Sequence, residues 1–319
     1  MVASLGLDIS KAKVHAALIV ADGKVRHKAC PNTPSGFEEL GAWLTRHAGG
    51  PVHACLEATG SYGDAVALWL YDHGHVVSIV NPAVIHAYAA AQQLRAKTDA
   101  GDADLIARYC QREQPVPWTP LPVPVRQLQA LVRRLDALQE MRTQEANRLT
   151  VATDPVIRAS IDTILATLDA EIAELKARIH DHFDQHPGLR TQRDLLVSIP
   201  GIGETTAAVL LAELFHQTYR SARHAAAYAG TTPRIRESGQ WRGRASLSRC
   251  GPSRLRKALY LPALTALRFN PHISALRSRL LDRGKPKMVV VGAAMRKLIH
   301  LAFGVLKSQK AYEPQLVRP

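Results

Sequence analysis

The sequence predicts an α/β fold followed by a largely helical one: an N-terminal mixed sheet covered by helices, a middle of long helices, and a mainly helical C-terminal third with a helix-hairpin-helix-like motif. Three observations predict it. Short apolar runs of strand length precede an alternation of helical and strand periods near the N-terminus. Leucines and isoleucines in the middle recur at heptad spacing. Positive charge is concentrated beyond residue 190.

The chain of 319 residues is long enough for two domains with separate cores. The opening run SLGLD reads as a strand ending in an acid, Val14 to Val20 as a second strand, and Ala21-Asp22-Gly23 as a turn into a third at Lys24 to Ala29. A helix from about Ser35 to His47 places Phe37, Leu40 and Leu44 on one face; the strand VHACLE, a helix from near Ser61 and the strand HVVSIV follow. Three consecutive strands before alternating helices and strands suggest a mixed sheet of the ribonuclease-H-like kind.

Within that frame Asp8 ends the first strand, Glu57 ends the fourth, and Asp99 and Asp102 lie three apart at the start of a helix, on one face. Taken singly, each is explained as a cap or a turn acid. Taken together at one sheet edge they form a set of hard oxygen donors suited to Mg²⁺, which supports phosphoryl transfer.

The segment 1–114 is therefore read as a metal-binding carboxylate domain. The segment 115–188 begins with PVPWTPLPVP, whose five prolines impose an extended linker. Leu128, Leu131, Leu135 and Leu138, and then Ile161, Leu165, Leu168, Ile172, Leu175 and Ile179, mark two coiled-coil seams separated by Asp154-Pro155. An intramolecular hairpin and a dimer both bury such seams.

Residues 1–112 carry 10 Lys/Arg and 10 Asp/Glu, residues 113–189 carry 8 and 11, and residues 190–319 carry 23 and 6. Segregation of this kind points the domain 189–319 toward nucleic-acid phosphates. In LLVSIPGIGETTAAVLLAEL, Gly201 and Gly203 form a turn between helices, a place where backbone N–H groups hold a phosphate or where two helices merely pack. Beyond it Arg234, Arg236, Arg242, Arg244, Arg249, Arg254, Arg256 and Lys257 face a single acid, Glu237, and are candidate nucleic-acid contacts. Ser238, before Gly239, is a candidate nucleophile among guanidinium groups, with Ser246, Ser248 and Ser253 as competitors.

No apolar run approaches the roughly 20 residues that span a bilayer, and the N-terminus MVASLGLDIS carries no secretory pattern, so a bacterial cytoplasmic location with no membrane partner is expected. Cys30, Cys55, Cys110 and Cys250 form no CxxC pair, which argues against a zinc site and a disulfide framework.

Several spaced motifs, LGLDISK, CLEATGSYG, VNPAVIHAYAAA, LRAKTDAGDADLIA, SIPGIGETTAAVLLAEL, AYAGTTPRIRESG and MRKLIHLAFGVLKS, give the chain a resemblance along nearly its whole length. It resembles the serine-dependent DEDD transposases of insertion sequences, the one-ten family, described as bridge-RNA-guided recombinases. The resemblance implies an acidic tetrad at Asp8, Glu57, Asp99 and Asp102 and a nucleophile at Ser238. It further implies a RuvC-resolvase-like N-terminal domain, a coiled-coil middle and a C-terminal transposase domain. Donor and target DNA, a structured bridge RNA, and self-association as dimer and tetramer are the implied partners. Asp104 matches no tetrad position, and Ser248-Arg249-Cys250-Gly251 has an arginine where the family commonly has lysine. Two other functions fit the residues: a metal-dependent Holliday-junction-type endonuclease that needs no serine, and a non-enzymatic nucleic-acid-binding scaffold.

Overall fold

The computed structural model describes residues 3–20, 22–58, 60–92, 99–234, 237–238, 241–242, 246–248 and 250–316. It divides into two compact units, Met1–Pro120 and Leu121–Pro319.

In the first unit β1 (Ser4–Ile9), β2 (Lys13–Ile19) and β3 (Val25–Pro31) form an antiparallel meander. Gly23 turns the β2–β3 connection at φ 80°, and the Asp22 carboxylate accepts from the Lys24 N–H at 3.0 Å. There follow α1 (Pro34–Ala48), β4 (His53–Glu57), a single 3-10 turn at Ser61–Gly63, α2 (Asp64–Asp72), β5 (Val76–Val80), α3 (Pro82–Ala91) and α4 (Asp99–Glu113). The sheet order is β3-β2-β1-β4-β5, with β4 parallel to both β1 and β5.

Period-two alternation decides what each face covers. Leu5, Leu7, Val14, Leu18 and Leu56 pack with Phe37, Leu40 and Leu44 of α1 and Leu70 of α2. On the opposite face Ala17 and Ile19 meet Ala103 and Ala107 of α4, and Cys55 meets Ile106 and Cys110. Local signals set the helix starts: Thr33 accepts from the Gly36 N–H and Asn81 from the Ala83 N–H, each with proline in the first turn.

The proline-rich stretch is extended, and its first part is docked on its own unit. The Trp118 N–H donates to the Val77 carbonyl at 2.6 Å, and Ser78 Oγ donates to the Pro115 carbonyl at 2.9 Å.

The second unit contains α5 (Val123–Val151), α6 (Pro155–Gln185), α7 (Pro187–Val197), α8 (Glu204–Glu213) and α9 (Ala222–Tyr228). Among the described residues four two-residue strands follow: β6 (Pro233–Arg234), β7 (Glu237–Ser238), β8 (Trp241–Arg242) and β9 (Ser246–Leu247). The chain then forms α10 (Ser253–Phe269), α11 (Pro271–Asp282) and α12 (Lys287–Ser308). Asp154 caps α6, accepting from Val156 and Ile157, so the break at Asp154-Pro155 turns α5 and α6 back into a hairpin. Leu128, Leu135 and Leu138 of one seam, and Ile172, Leu175 and Ile179 of the other, are buried within this chain. Their core continues into α7–α12. By length and composition α12 could cross a bilayer, but it serves as a core helix, with Val291, Met295, Leu298, Ile299 and Ala302 buried.

Candidate functional site

The acidic positions are assembled by strand register. β1 and β4 pair Ser4 with His53, Gly6 with Cys55 and Leu7 with Leu56. Continuing that register sets Asp8 beside Glu57 where both strands end. Gly6 faces α4, because a Cβ there would stand 2.2 Å from the Ala103 carbonyl oxygen and 2.2 Å from the Ala107 nitrogen. Asp8, two residues on, points to the same face, and so does Glu57, two residues beyond Cys55. Helix α4 runs back along β1: Cys110 Sγ donates to the His53 carbonyl at 3.3 Å at the start of the strands, whereas Ala103 lies at Gly6. The first turn of α4, with Asp99 and Asp102, is thereby directed to the edge where Asp8 and Glu57 end.

Asp8, Glu57 and Asp102 are half-buried, and the Asp99 side chain lies outside the described residues. Among the described residues no three His, Cys, Asp or Glu side chains are close enough to hold a metal ion. The donor set consists of hard carboxylate oxygens, the type that Mg²⁺ takes. Asp104, the fifth acid, is engaged elsewhere, 2.7 Å from His27 Nε2. Sequence reading passed over His15, which stands directly opposite Asp8 on β2 and on the same face. The one signal for it was its place in the alternation of the second strand.

Ser238 lies on a β-ribbon built into the second unit. β6 pairs with β9, and within the span they bracket in sequence β7 pairs with β8, with Ser238 opposite Trp241 and only positions 239 and 240 between them. The root of the ribbon is fixed by close backbone approach. Gly251, at φ 116°, leaves only 1.8 Å between a hypothetical Cβ and the Tyr228 carbonyl oxygen, and Gly230 at φ 67° abuts the Cys250 carbonyl. The Ser248 N–H donates to the Thr232 carbonyl at 2.8 Å, and Leu247 lies against Gly292 of α12.

The competing serines differ in setting: Ser246 is exposed, Ser253 begins α10, and the Ser248 hydroxyl is buried with no hydrogen-bond partner among the described residues. Arg234 is exposed on β6. Gly239, Arg236, Arg244 and Arg249, and the side chains of Ser238 and Arg242, lie outside the described residues.

Several candidate nucleic-acid contacts have partners inside the protein. Arg254 reaches Asp136 Oδ2 at 3.2 Å and Glu213 Oε1 at 3.3 Å; Lys257 reaches Asp136 at 2.7 Å and Glu140 at 2.6 Å. Arg256 donates to the carbonyls of Gly251 and Pro252. Burial works against the charge on Lys257, but the bonds it donates to Asp136 and Glu140 outweigh it and raise its pKa.

Gly201, at φ 106°, would drive a Cβ to within 2.7 Å of Ala266 Cβ, so its immediate role is to let α10 approach. Gly203 is open and precedes α8, where Glu204 is held 2.8 Å from His180 Nδ1 and 3.0 Å from Arg193 Nη1. The hydrogen bond that His180 donates to Glu204 raises the pKa of His180. The chain thus places its own carboxylate where the helix dipole favours an anion.

Comparison with known families finds a match to a transposase family over residues 5–154 and to one described as the IS116/IS110/IS902 transposase family over residues 193–277. A pilin gene-inverting protein of Moraxella bovis is 34% identical, with 98% of each chain covered. Its namesake from Moraxella lacunata is 33% identical over the same shares. An uncharacterized 43.6 kDa protein of insertion element IS110 from Streptomyces coelicolor is 30% identical over 44% of this chain and 34% of that protein.

Proposed function

Since the chain belongs to the IS116/IS110/IS902 family of transposases and is a DNA transposase or recombinase, we propose that it exchanges DNA strands through a covalent serine intermediate. Ser238 Oγ attacks a scissile phosphate, a phosphoserine bond forms, and the departing 3′ oxygen gains the proton that serine loses. Attack by a 3′ hydroxyl of the partner strand reverses the step and restores the serine. Asp8, Glu57, Asp99 and Asp102 are the residues that would hold Mg²⁺, whose charge would offset that of the phosphate.

The observation that carries this reading is the convergence of β1, β4 and the first turn of α4, which directs four acidic positions to one edge of a mixed sheet. That arrangement supports a RuvC-like assignment for the first unit. The full-length likeness to proteins named for inverting a gene supports strand exchange over simple scission. We assign the ribbon arginines to nucleic acid; at the Gly201–Gly203 turn, where α10 approaches and Glu204 takes the anion position, the packing of two helices is the reading supported. Donor and target DNA are read through a bridge RNA, and the working form is a dimer that pairs into a tetramer in the cytoplasm.

The test is a denaturing gel of labelled element-end DNA incubated with protein, guide RNA and Mg²⁺. A protein–DNA adduct is expected from the wild type and is absent from Ser238→Ala. Cleavage without an adduct, preserved in Ser238→Ala, would replace the serine mechanism by metal-dependent hydrolysis. Asp8→Asn should lose cleavage while retaining DNA binding.

A further inference from the structure

We infer that the groove between α10, α11 and the start of α12 is a binding site for an unpaired DNA strand. The cavity, of about 590 Å³, has an apolar floor that includes Leu264, Leu267, Val290 and Val291, and its charged lining is Arg268, Arg277 and Lys287, with no carboxylate among the described residues. Phe269, the last residue of α10, projects at its rim with 68% of its surface exposed. A phenyl ring held in water beside three cations is a poor solution for stability alone.

The chemistry selects the occupant. Cations without a balancing acid call for an anion, and an apolar floor with a free aromatic face calls for flat, weakly polar rings. A nucleic-acid strand with splayed bases supplies both, its phosphates meeting the cations and a base stacking on Phe269. A duplex offers phosphates on its outside and keeps its base faces stacked inside, so it does not match the floor.

Position selects DNA. Val290 and Val291 line the groove, and the next residue, Gly292, lies against Leu247 at the root of the ribbon that carries Ser238. The groove therefore begins within about one helical turn of that root. This inference rests on the strand-exchange reading, in which a cut strand must leave its duplex and be held until it is rejoined.

The experiment measures fluorescence anisotropy of a labelled 12-nucleotide oligo-dT, and separately of a 12-base-pair duplex, with the full chain at one fixed salt concentration. Phe269→Ala should weaken oligo-dT binding by about five- to 150-fold, the range set by loss of one base–aromatic stack, while Phe269→Trp retains it. Arg277→Gln should weaken it less, and duplex binding should move by less than about twofold, since it draws on other cations.

Equal oligo-dT affinity in Phe269→Ala and wild type would overturn the site. Parallel loss of duplex binding would show a general phosphate surface and overturn the strand assignment. Displacement of oligo-dT more readily by oligo-rU, or by an acidic peptide, would overturn the choice of DNA. The adduct assay with Ser238 is read separately, so either result stands without the other.

Discussion

Glu213 shows how a single residue in a basic unit serves the fold before any ligand. It is buried, and Arg133 grips it through Nε at 2.8 Å and Nη2 at 3.3 Å while Arg254 adds a third contact. A buried carboxylate deprived of its partner costs far more than the pair contributes when intact. Because Arg254 remains on Glu213, Arg133→Ala should lower stability by up to about 3 kcal/mol in urea unfolding, whereas replacing Arg133 and Glu213 together by Met and Leu should cost much less. Similar losses from the single and the double variant would contradict the pairing. Asp136, beside it, is partly desolvated, which works against its charge, yet the bonds from Lys257 and Arg254 hold its carboxyl below the ordinary range. A depressed folded pKa contributes stability above the unfolded aspartate value and loses it as pH falls through the folded one. Lys257→Met should accordingly remove part of the acid-side stability loss, seen as a flatter decline of Tm below about pH 4. An unchanged acid limb would dissociate Asp136 from that role.

At the scale of elements, the seat of α4 on β1 is the contact that directs Asp99 and Asp102 to the sheet edge. Gly6 makes it possible, since any Cβ would collide with backbone atoms of α4 that cannot rotate away. Gly6→Val should cost at least about 3 kcal/mol by overpacking and abolish DNA cleavage, although it changes no charge. Retained cleavage with a normal melting temperature would mean that the helix is placed by other contacts.

The same element explains what the sequence could and could not disclose. The strands from Ser4, Lys13, Val25, His53 and Val76, and the capped starts at Thr33, Asn81 and Asp154, follow from local alternation and hydrogen bonding within a few residues. Asp8 and Glu57 were legible because each ends an apolar run. The closeness of α4 to Gly6, the position of His15 opposite Asp8, and the partnering of Arg254 and Lys257 with Asp136 join residues dozens of positions apart. Composition marked those cations as phosphate readers because charge counts carry no information on partners. Extension of the proline-rich stretch was legible from proline chemistry; its attachment through Trp118 to Val77 was not, since a backbone N–H has no sequence signature.

At the scale of the whole molecule, charge and chemistry are divided between the two compact units. Residues 1–120 hold 10 Lys/Arg against 11 Asp/Glu, and residues 121–319 hold 31 against 16, so the surplus of positive charge belongs to the second unit and the acidic edge to the first. Each unit has its own buried core: Leu5, Leu7, Leu40 and Leu70 in one, and Leu128, Phe183, Leu196 and Leu298 in the other. The fragment 121–319 should thus fold alone and bind duplex DNA, with log affinity falling linearly against log salt at nearly the slope of the full chain. The fragment 1–120 should fold but bind at least about tenfold more weakly, because a unit with no surplus of positive charge releases few counterions. Neither fragment should cleave DNA, because the acids and Ser238 reside on different units. Circular dichroism of the two fragments and salt titrations of their DNA binding check this together. A full-chain slope about twice that of fragment 121–319 would place half of the displaced counterions on the first unit, and the division of labour would have to be redrawn around the lysines of β2 and β3.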